Sequence, residues 1–477
     1  MLSILHCTPE VVPFSKTGGL ADVSFALPEA LTRRGHRVTV VTPLYARVDR
    51  ERHGVRSSGR SFEVTLGGRS ETFEVFQASL PAGTEVILLA NDGFFGRPEL
   101  YGTRDGDYPD NFLRFAFFSA AVFRLLRGSR TCPSILHCHD WQTGLVPAFN
   151  HLYHLDLCGT VFTVHNLAYQ GLFPAEVVPQ VGLPWEVFNP EQVEFYGKVN
   201  FLKAGLVFSD RITTVSPRYA REIMTPEFGC GLDGVLRKRA SHVVGILNGA
   251  DDPEWNPQTD RFLPARYGPE DLTGKRACRE ALLREFGLPE SDGPVFGAVG
   301  RLAAQKGFDL IAEVLPDLVA LGGRLVILGT GDRAVEESLG AAAARFPQQA
   351  AVRIAFDNRI AHLIEAGSDF FLMPSRYEPC GLNQMYSLKY ATLPVVHAVG
   401  GLDDTVVDLT EDPDHGTGFK FRAFSREAFL DALHRAMRLY ADPASLDAVR
   451  HRAMAADFSW DRAARAYEDL YQAALQA

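Results

Sequence analysis

The sequence predicts an α/β protein made of two doubly wound, Rossmann-like domains facing a central cleft. Three observations predict it. The chain has 477 residues, more than one ordinary core holds. Short runs rich in Val, Ile and Leu alternate with helical stretches from end to end, the pattern of a parallel sheet covered on both faces. The alternation breaks once, in LNGADDPEWNPQTDRFLPARYGP, where Asn, Asp, Pro and Gly crowd together, and then restarts.

Each element follows from its own stretch. MLSILHCTPE reads as a strand, SKTGGLADV as a turn, and ADVSFALPEALTRRGH as a helix. HRVTVVTPLY, EVILLAND, SILHCHD, GTVFTVHN and DRITTVS read as buried parallel strands. LRFAFFSAAVFRLLRG has helical spacing. Beyond the break, PVFGAVGRL, RLVILGTGD, AVRIAF, DFFLMPS and LPVVHAVGG each read as a strand running into a loop. SWDRAARAYEDLYQAALQA closes the chain as an amphipathic helix. Ligands of such sheets bind beyond the carboxyl ends of the strands.

Composition narrows the function. Hydrophobic residues make up 46% and charged residues 22%, ordinary values for a globular protein. The net charge is −10 with no long basic run, which argues against a nucleic-acid partner. Seven scattered cysteines, an odd number, suit a reducing cytoplasm. No stretch approaches the roughly 18 apolar residues of a membrane span, and no leader pattern opens the chain. The expectation is a cytoplasmic protein with no membrane partner.

The strand-to-loop junctions carry the chemistry. Lys16 beside Gly18 and Gly19 at a strand-to-helix turn suggests an anion site. In VGRLAAQKGFD, Arg301 and Lys306 could clamp a diphosphate and neutralise charge growing on a leaving phosphate; a solvated loop reads equally well. In MPSRYEPCGLNQMYSLKYA, Glu378 could orient a sugar hydroxyl or steady an oxocarbenium-like centre, or simply cap a helix dipole. HNLAYQG offers His165 and Asn166, and HCHDWQTG offers His137, His139, Asp140 and Trp141. His137 and His139 lack a second ligand pair of the usual spacing, so no metal is expected. Gly329-Thr330-Gly331-Asp332-Arg333-Ala334 fits G-x-G-x-x-A, but no acidic residue stands about 20 positions on; it reads as a phosphate or packing loop, not a dinucleotide site. Asp105-Gly106-Asp107 reads as a turn rather than a cation site.

Taken together, KTGGLADV, HDWQTG, VHNLAYQG, ILNGADDPEWNP, VGRLAAQKGFD and SRYEPCGLNQMYSLKYATLPVV resemble the bacterial glycogen synthases and plant starch synthases, in order, from near residue 4 to the last helix. The resemblance implies the GT-B fold. It implies a first domain over 1–245, a donor domain over 246–457, and a terminal helix, 458–477, crossing back to the first. It implies transfer of glucose from ADP-glucose to the non-reducing 4-hydroxyl of an α-1,4-glucan, glycogen or a maltooligosaccharide, with retention and no cofactor. Lys16 would lie by the donor phosphates, with Gly18 and Gly19 letting the backbone approach and Asp22 in the same motif. Arg301 and Lys306 would bind the diphosphate. Glu378 would contact the transferred glucose, with Cys380, Gly381, Leu382 and Asn383 near it. His165 would bond a glucose hydroxyl; Asp140, Asn166 and Asn248 would line the cleft.

Three positions depart from related transferases. Tyr386 stands where many carry a ribose-binding glutamate, Asn383 where many have Thr, and Gln142 where many have His. No residue announces itself as a nucleophile, so a front-face mechanism fits better than double displacement. Two rivals remain at this stage. One is a sugar-nucleotide epimerase, disfavoured by the paired K-T-G-G-L and E-P-C-G-L. The other is a non-catalytic glucan-binding protein, which has no need of Lys16, Arg301, Lys306 and Glu378 together. No residue separates adenine from uracil.

Overall fold

The computed structural model describes residues 1–103, 106–127, 132–153, 158–250 and 254–476. It divides into two compact units: Met1–Val215 with Ala220–Gly249 and Trp460–Ala477, and Ser216–Tyr219 with Ala250–Ser459.

The first unit carries a nine-stranded sheet. In chain order its strands are β1 (Ser3–Cys7), β2 (Arg37–Pro43), β3 (Arg56–Leu66), β4 (Arg69–Ser79), β5 (Glu85–Ala90), β6 (Ile135–His139), β7 (Gly159–Val164), β8 (Arg211–Thr214) and β9 (Val243–Gly245). Their spatial order is β9-β8-β7-β6-β1-β2-β5-β4-β3. The chain leaves β1 toward β2 and later returns to its other side with β6, so the order reverses between β1 and β6. Such a reversal opens a crevice at the carboxyl ends of the two strands. KTGGL follows β1 and HDWQTG follows β6, so both motifs gather at this reversal.

β3 and β4 form an antiparallel hairpin that the run-based reading passes over. Both strands leave one face largely to solvent, so they show alternation instead of a continuous apolar run. Gly67 and Gly68, at φ 55° and 79°, supply the two left-handed residues of the tight turn between them.

Helix α1 (Gly19–Arg33) buries Leu20, Val23, Leu27, Ala30 and Leu31 against the sheet. The terminal helix, here α2 (Trp460–Ala474), packs Tyr467, Leu470, Tyr471 and Ala474 into the same core with Ile4, Val38, Ile135 and Val161. Its end comes so close to β7 that a Cβ on Gly159 would sit 2.8 Å from the Ala474 carbonyl oxygen. Arg34 forks onto Glu468 and also reaches Asp461, tying α1 to this helix.

The second unit carries a six-stranded parallel sheet. Its strands are β10 (Val295–Val299), β11 (Arg324–Gly329), β12 (Ala350–Ile354), β13 (Phe370–Met373), β14 (Leu393–His397) and β15 (Phe419–Phe421), in the order β12-β11-β10-β13-β14-β15. Here the order reverses between β10 and β13. VGRLAAQKG follows β10 and MPSRYEPCGL follows β13, so once more the two motifs share a switch point. Apolar clusters fill both faces of the sheet. The glycines of G-x-G-x-x-A serve packing: a Cβ on Gly329 would lie 2.0 Å from the Gly300 carbonyl oxygen, and one on Gly331 2.3 Å from that of Leu302. Among the described residues no helix is long and apolar enough to cross a membrane.

Candidate active site

In the second unit the switch point brings two of the predicted residues into contact. Lys306 Nζ lies 2.6 Å from Glu378 Oε2, and Ser375 Oγ donates to the same oxygen at 3.1 Å. Glu378 is buried, at 6% exposure. No hydrogen bond reaches its other oxygen, Oε1, from the described residues. That oxygen is not sealed from the surface, so a ligand hydroxyl can reach it and donate to it. Arg301 follows β10 on the exposed side and donates to Gln305 Oε1 at 3.1 Å.

The backbone fixes this pair from behind. Gly307, at φ 71°, packs on the Pro374 carbonyl, where an added Cβ would come within 1.9 Å. Gly400 at φ 44° and Gly401 press on the turn that holds Glu378; a Cβ on either would lie 1.9 Å from the carbonyl oxygen of Glu378 or of Cys380. Gly401 N also donates to the Glu378 carbonyl at 3.1 Å. This second glycine pair escapes a reading of single motifs because it lies beyond the next strand, at the start of a short helix, Gly400–Thr405. Within the turn, Gly381 adopts φ 70°, and the Gln384 amide donates to the carbonyls of Cys380 and Gly381. Cys380 is buried and Leu382 half-buried. Asn383 donates to the Val299 carbonyl at 2.9 Å, joining the turn to the end of β10. Tyr386 stacks on Trp255, with ring centroids 4.4 Å apart and planes 4° from parallel.

In the first unit Lys16 Nζ pairs with Asp22 Oδ1 at 2.7 Å, and both side chains remain open to solvent. Gly18 is extended, at φ −155°, and a Cβ there would meet nothing within 4 Å. Gly19 opens α1. The loop is tied from below by Glu10, a residue the motif reading does not mark. Its buried carboxylate accepts from the Thr17 amide, from Thr17 Oγ1 at 2.6 Å and from Tyr101 OH at 2.7 Å.

Asp140 stands just past β6 with a left-handed backbone, φ 57°. Its Oδ1 accepts from the His165 amide at 2.8 Å, binding the ends of β6 and β7 together. Desolvation pushes its carboxyl up to about 7. His165 Nε2 meets His139 Nδ1 at 3.0 Å, and burial drives the His165 imidazole down to about 3. Asn166 is half-buried and accepts from the Ala168 amide. Asn248 is buried, and its Oδ1 has no hydrogen-bond partner among the described residues. Gln142 Oε1 is in the same position. His6 on β1 lies opposite His137 of β6 in register, so three imidazoles meet where the sequence pairs only two. Asp105 and residues 251–253 lie outside the described residues.

Two family models match the chain, the starch synthase catalytic domain over residues 3–238 and glycosyl transferases group 1 over residues 280–449. A glycogen synthase of Anaeromyxobacter sp. (strain Fw109-5) is 52% identical over 99% of both chains. The chain belongs to the glycogen synthase family. A second family member, from Myxococcus xanthus (strain DK1622), is 50% identical over 98% of this chain and 99% of its own. The catalytic domain of starch synthase IV from Arabidopsis thaliana, solved bound to ADP and acarbose, superposes with a TM-score of 0.91 at 34% identity, covering all of both chains. The glycogen synthase family fold is therefore GT-B, with two Rossmann-like domains.

Proposed function

We propose that the chain is a hexosyltransferase that lengthens α-1,4-glucan, moving glucose from ADP-glucose to the non-reducing 4-hydroxyl of glycogen or a maltooligosaccharide with retention, in the cytoplasm. The observation that carries this reading is the Lys306–Glu378 contact, with Glu378 Oε1 left to accept from a ligand. A sugar nucleotide offers both groups that such a pair would hold, a hydroxyl-bearing ring and an anionic leaving group.

The roles follow from chemistry. Arg301 and Lys306 hold the diphosphate, and Lys16 adds a third cation. The bond from the anomeric carbon to the phosphate oxygen breaks as charge gathers on ADP, where fixed cations help most. The acceptor O4 bonds to the same face of the anomeric carbon and gives its proton to the departing phosphate. Glu378 Oε1 accepts a glucose hydroxyl and steadies the cationic ring by charge. His165 bonds a second hydroxyl, and Asn248 with Asp140 lines the sugar path. The lone acceptor on Asn248 supports that placement.

The test incubates purified protein with glycogen and labelled ADP-glucose or UDP-glucose, and counts label in the polymer. Incorporation from ADP-glucose is expected. Incorporation from UDP-glucose alone would keep the mechanism and overturn the donor. No incorporation from either, with donor intact, would return the binding-protein reading.

A further inference from the structure

Six buried or half-buried side chains in the first unit form one continuous line of hydrogen bonds. Thr163 Oγ1 meets His137 Nε2 at 2.6 Å. His137 Nδ1 meets Tyr471 OH at 2.8 Å. Tyr471 OH meets His6 Nε2 at 3.4 Å, the longest of the set. His6 Nδ1 meets His139 Nε2 at 3.1 Å, and His139 Nδ1 meets His165 Nε2 at 3.0 Å. The line crosses β1, β6 and β7 and takes in one hydroxyl from the terminal helix.

His6, His137 and His139 hold ring nitrogens within 4.8 Å of one another, which invites a metal. The bonding argues otherwise. Each of the three has both nitrogens engaged with neighbours along the line. A metal ligand needs its lone pair aimed at a common centre, and among the described residues no carboxylate joins the group. Burial lowers all four imidazoles far below the usual histidine range, so they are neutral.

Neutral imidazoles each carry one proton and one lone pair. Four imidazoles, one threonine and one tyrosine hydroxyl supply six protons for five bonds. One proton is left over, and it can sit at either end of the line or on Tyr471, whose oxygen can accept from both neighbours. At one end Thr163 is wholly buried, and its hydroxyl has no other partner among the described residues. At the other end His165 is half-buried where β7 gives way to a loop. A proton stranded on Thr163, or on the wholly buried Tyr471, would be an orphaned buried donor, which disfavours either arrangement by about tenfold or more.

We propose that Thr163 sets the direction of this line, from Thr163 through His137, Tyr471, His6 and His139, so that His165 is held as the tautomer protonated at Nδ1. His165 then offers its ligand a donor and no acceptor. That its ligand is a glucose hydroxyl oxygen rests on the function proposed above; the tautomer itself does not. Thr163, His137, His139, His6 and Tyr471 are positioning residues that act through His165.

The test is imidazole nitrogen NMR on the full chain labelled with 15N-histidine, with the His165 signals identified by their loss in His165→Asn. The expected result is a neutral His165 protonated at Nδ1. Thr163→Val strands His137 Nε2 in either direction and removes the bias, so a second His165 tautomer should grow in. Thr163→Ser should restore the single form. Tyr471→Phe cuts the line at its middle and should mix the tautomers as Thr163→Val does. Glucosyl transfer should slow several-fold in both mixing variants and recover in Thr163→Ser. A His165 protonated at Nε2 or doubly protonated would overturn the proposal, as would nitrogens unmoved by Thr163→Val. So would stoichiometric metal whose removal shifts the His6 and His139 signals. The expected tautomer in a protein that transfers no glucose would keep the line and overturn only its ligand.

Discussion

The two switch points are built from the same topology and bury different groups. At β10 and β13 the chain places a fixed ion pair, Lys306 with Glu378, beside Arg301. At β1 and β6 the ion pair, Lys16 with Asp22, stays open to solvent, and what is buried is a set of imidazoles, with His6 lowered to about 3 and His165, just past β7, lowered likewise. The sheet alone therefore does not decide what a switch point binds. Charge suits the end of a substrate where charge develops during reaction. Neutral donors suit hydroxyls, whose recognition depends on direction more than on charge.

The largest effect should come from removing the charged pair. Glu378→Ala is expected to lower the transfer rate by about 10³-fold while the thermal midpoint and nucleotide binding stay near those of the parent. Initial rates of label incorporation beside a melting curve check this. Equal turnover would mean that charge at this switch point is structural. Lys306→Ala should follow, with a loss of about 10²-fold in kcat. A rise in KM alone would show that the cation binds substrate and transition state alike.

The clamp beneath the pair can be probed apart from its charge. Gly307→Ala forces a side chain into a left-handed backbone and against the Pro374 carbonyl. It should cost at least about 1–3 kcal/mol in stability, read by denaturant unfolding. An unchanged midpoint would show that the turn yields easily.

The first switch point should respond to pH through Asp140. Its carboxyl is raised to about 7 against an unfolded value of about 4. A raised carboxyl contributes stability below the unfolded value and loses it as pH climbs through the folded one. Asp140→Asn should therefore gain stability relative to the parent as pH rises from about 4 to about 7. Parallel unfolding curves across that window would place the carboxyl elsewhere. The smallest effect should come from Gly18→Ala. Its backbone is extended and the space around it is open, so folding should be untouched. If the donor approaches this loop, the donor KM rises several-fold; an unchanged KM would move the diphosphate away from Gly18.

Much of the fold was legible because each parallel strand announces itself locally. SILHCHD and GTVFTVHN end where β6 and β7 end to within two residues, and loop chemistry begins just there. The hairpin of β3 and β4 was not legible as a buried run, since half of its side chains face water. The candidate site divides in the same way. Lys306 and Glu378 are visible as types at strand ends, but their contact spans 72 positions and depends on strand order. Glu10 looks like any acidic residue before a loop until Tyr101 arrives from 91 positions away. His6 and Tyr471, 465 positions apart, could not be joined by any local pattern.

Gly400 and Gly401 carry a lesson for protein engineering. They lie against the turn of Glu378 with no room for even a methyl group. If Glu378 holds the donor sugar as proposed, selection for a bulkier sugar cannot push that turn backward in small steps. Variants that accept larger sugars should instead accumulate changes on the facing side of the ring, leaving Glu378 and its two glycines as the immobile reference from which the rest of the pocket is recut.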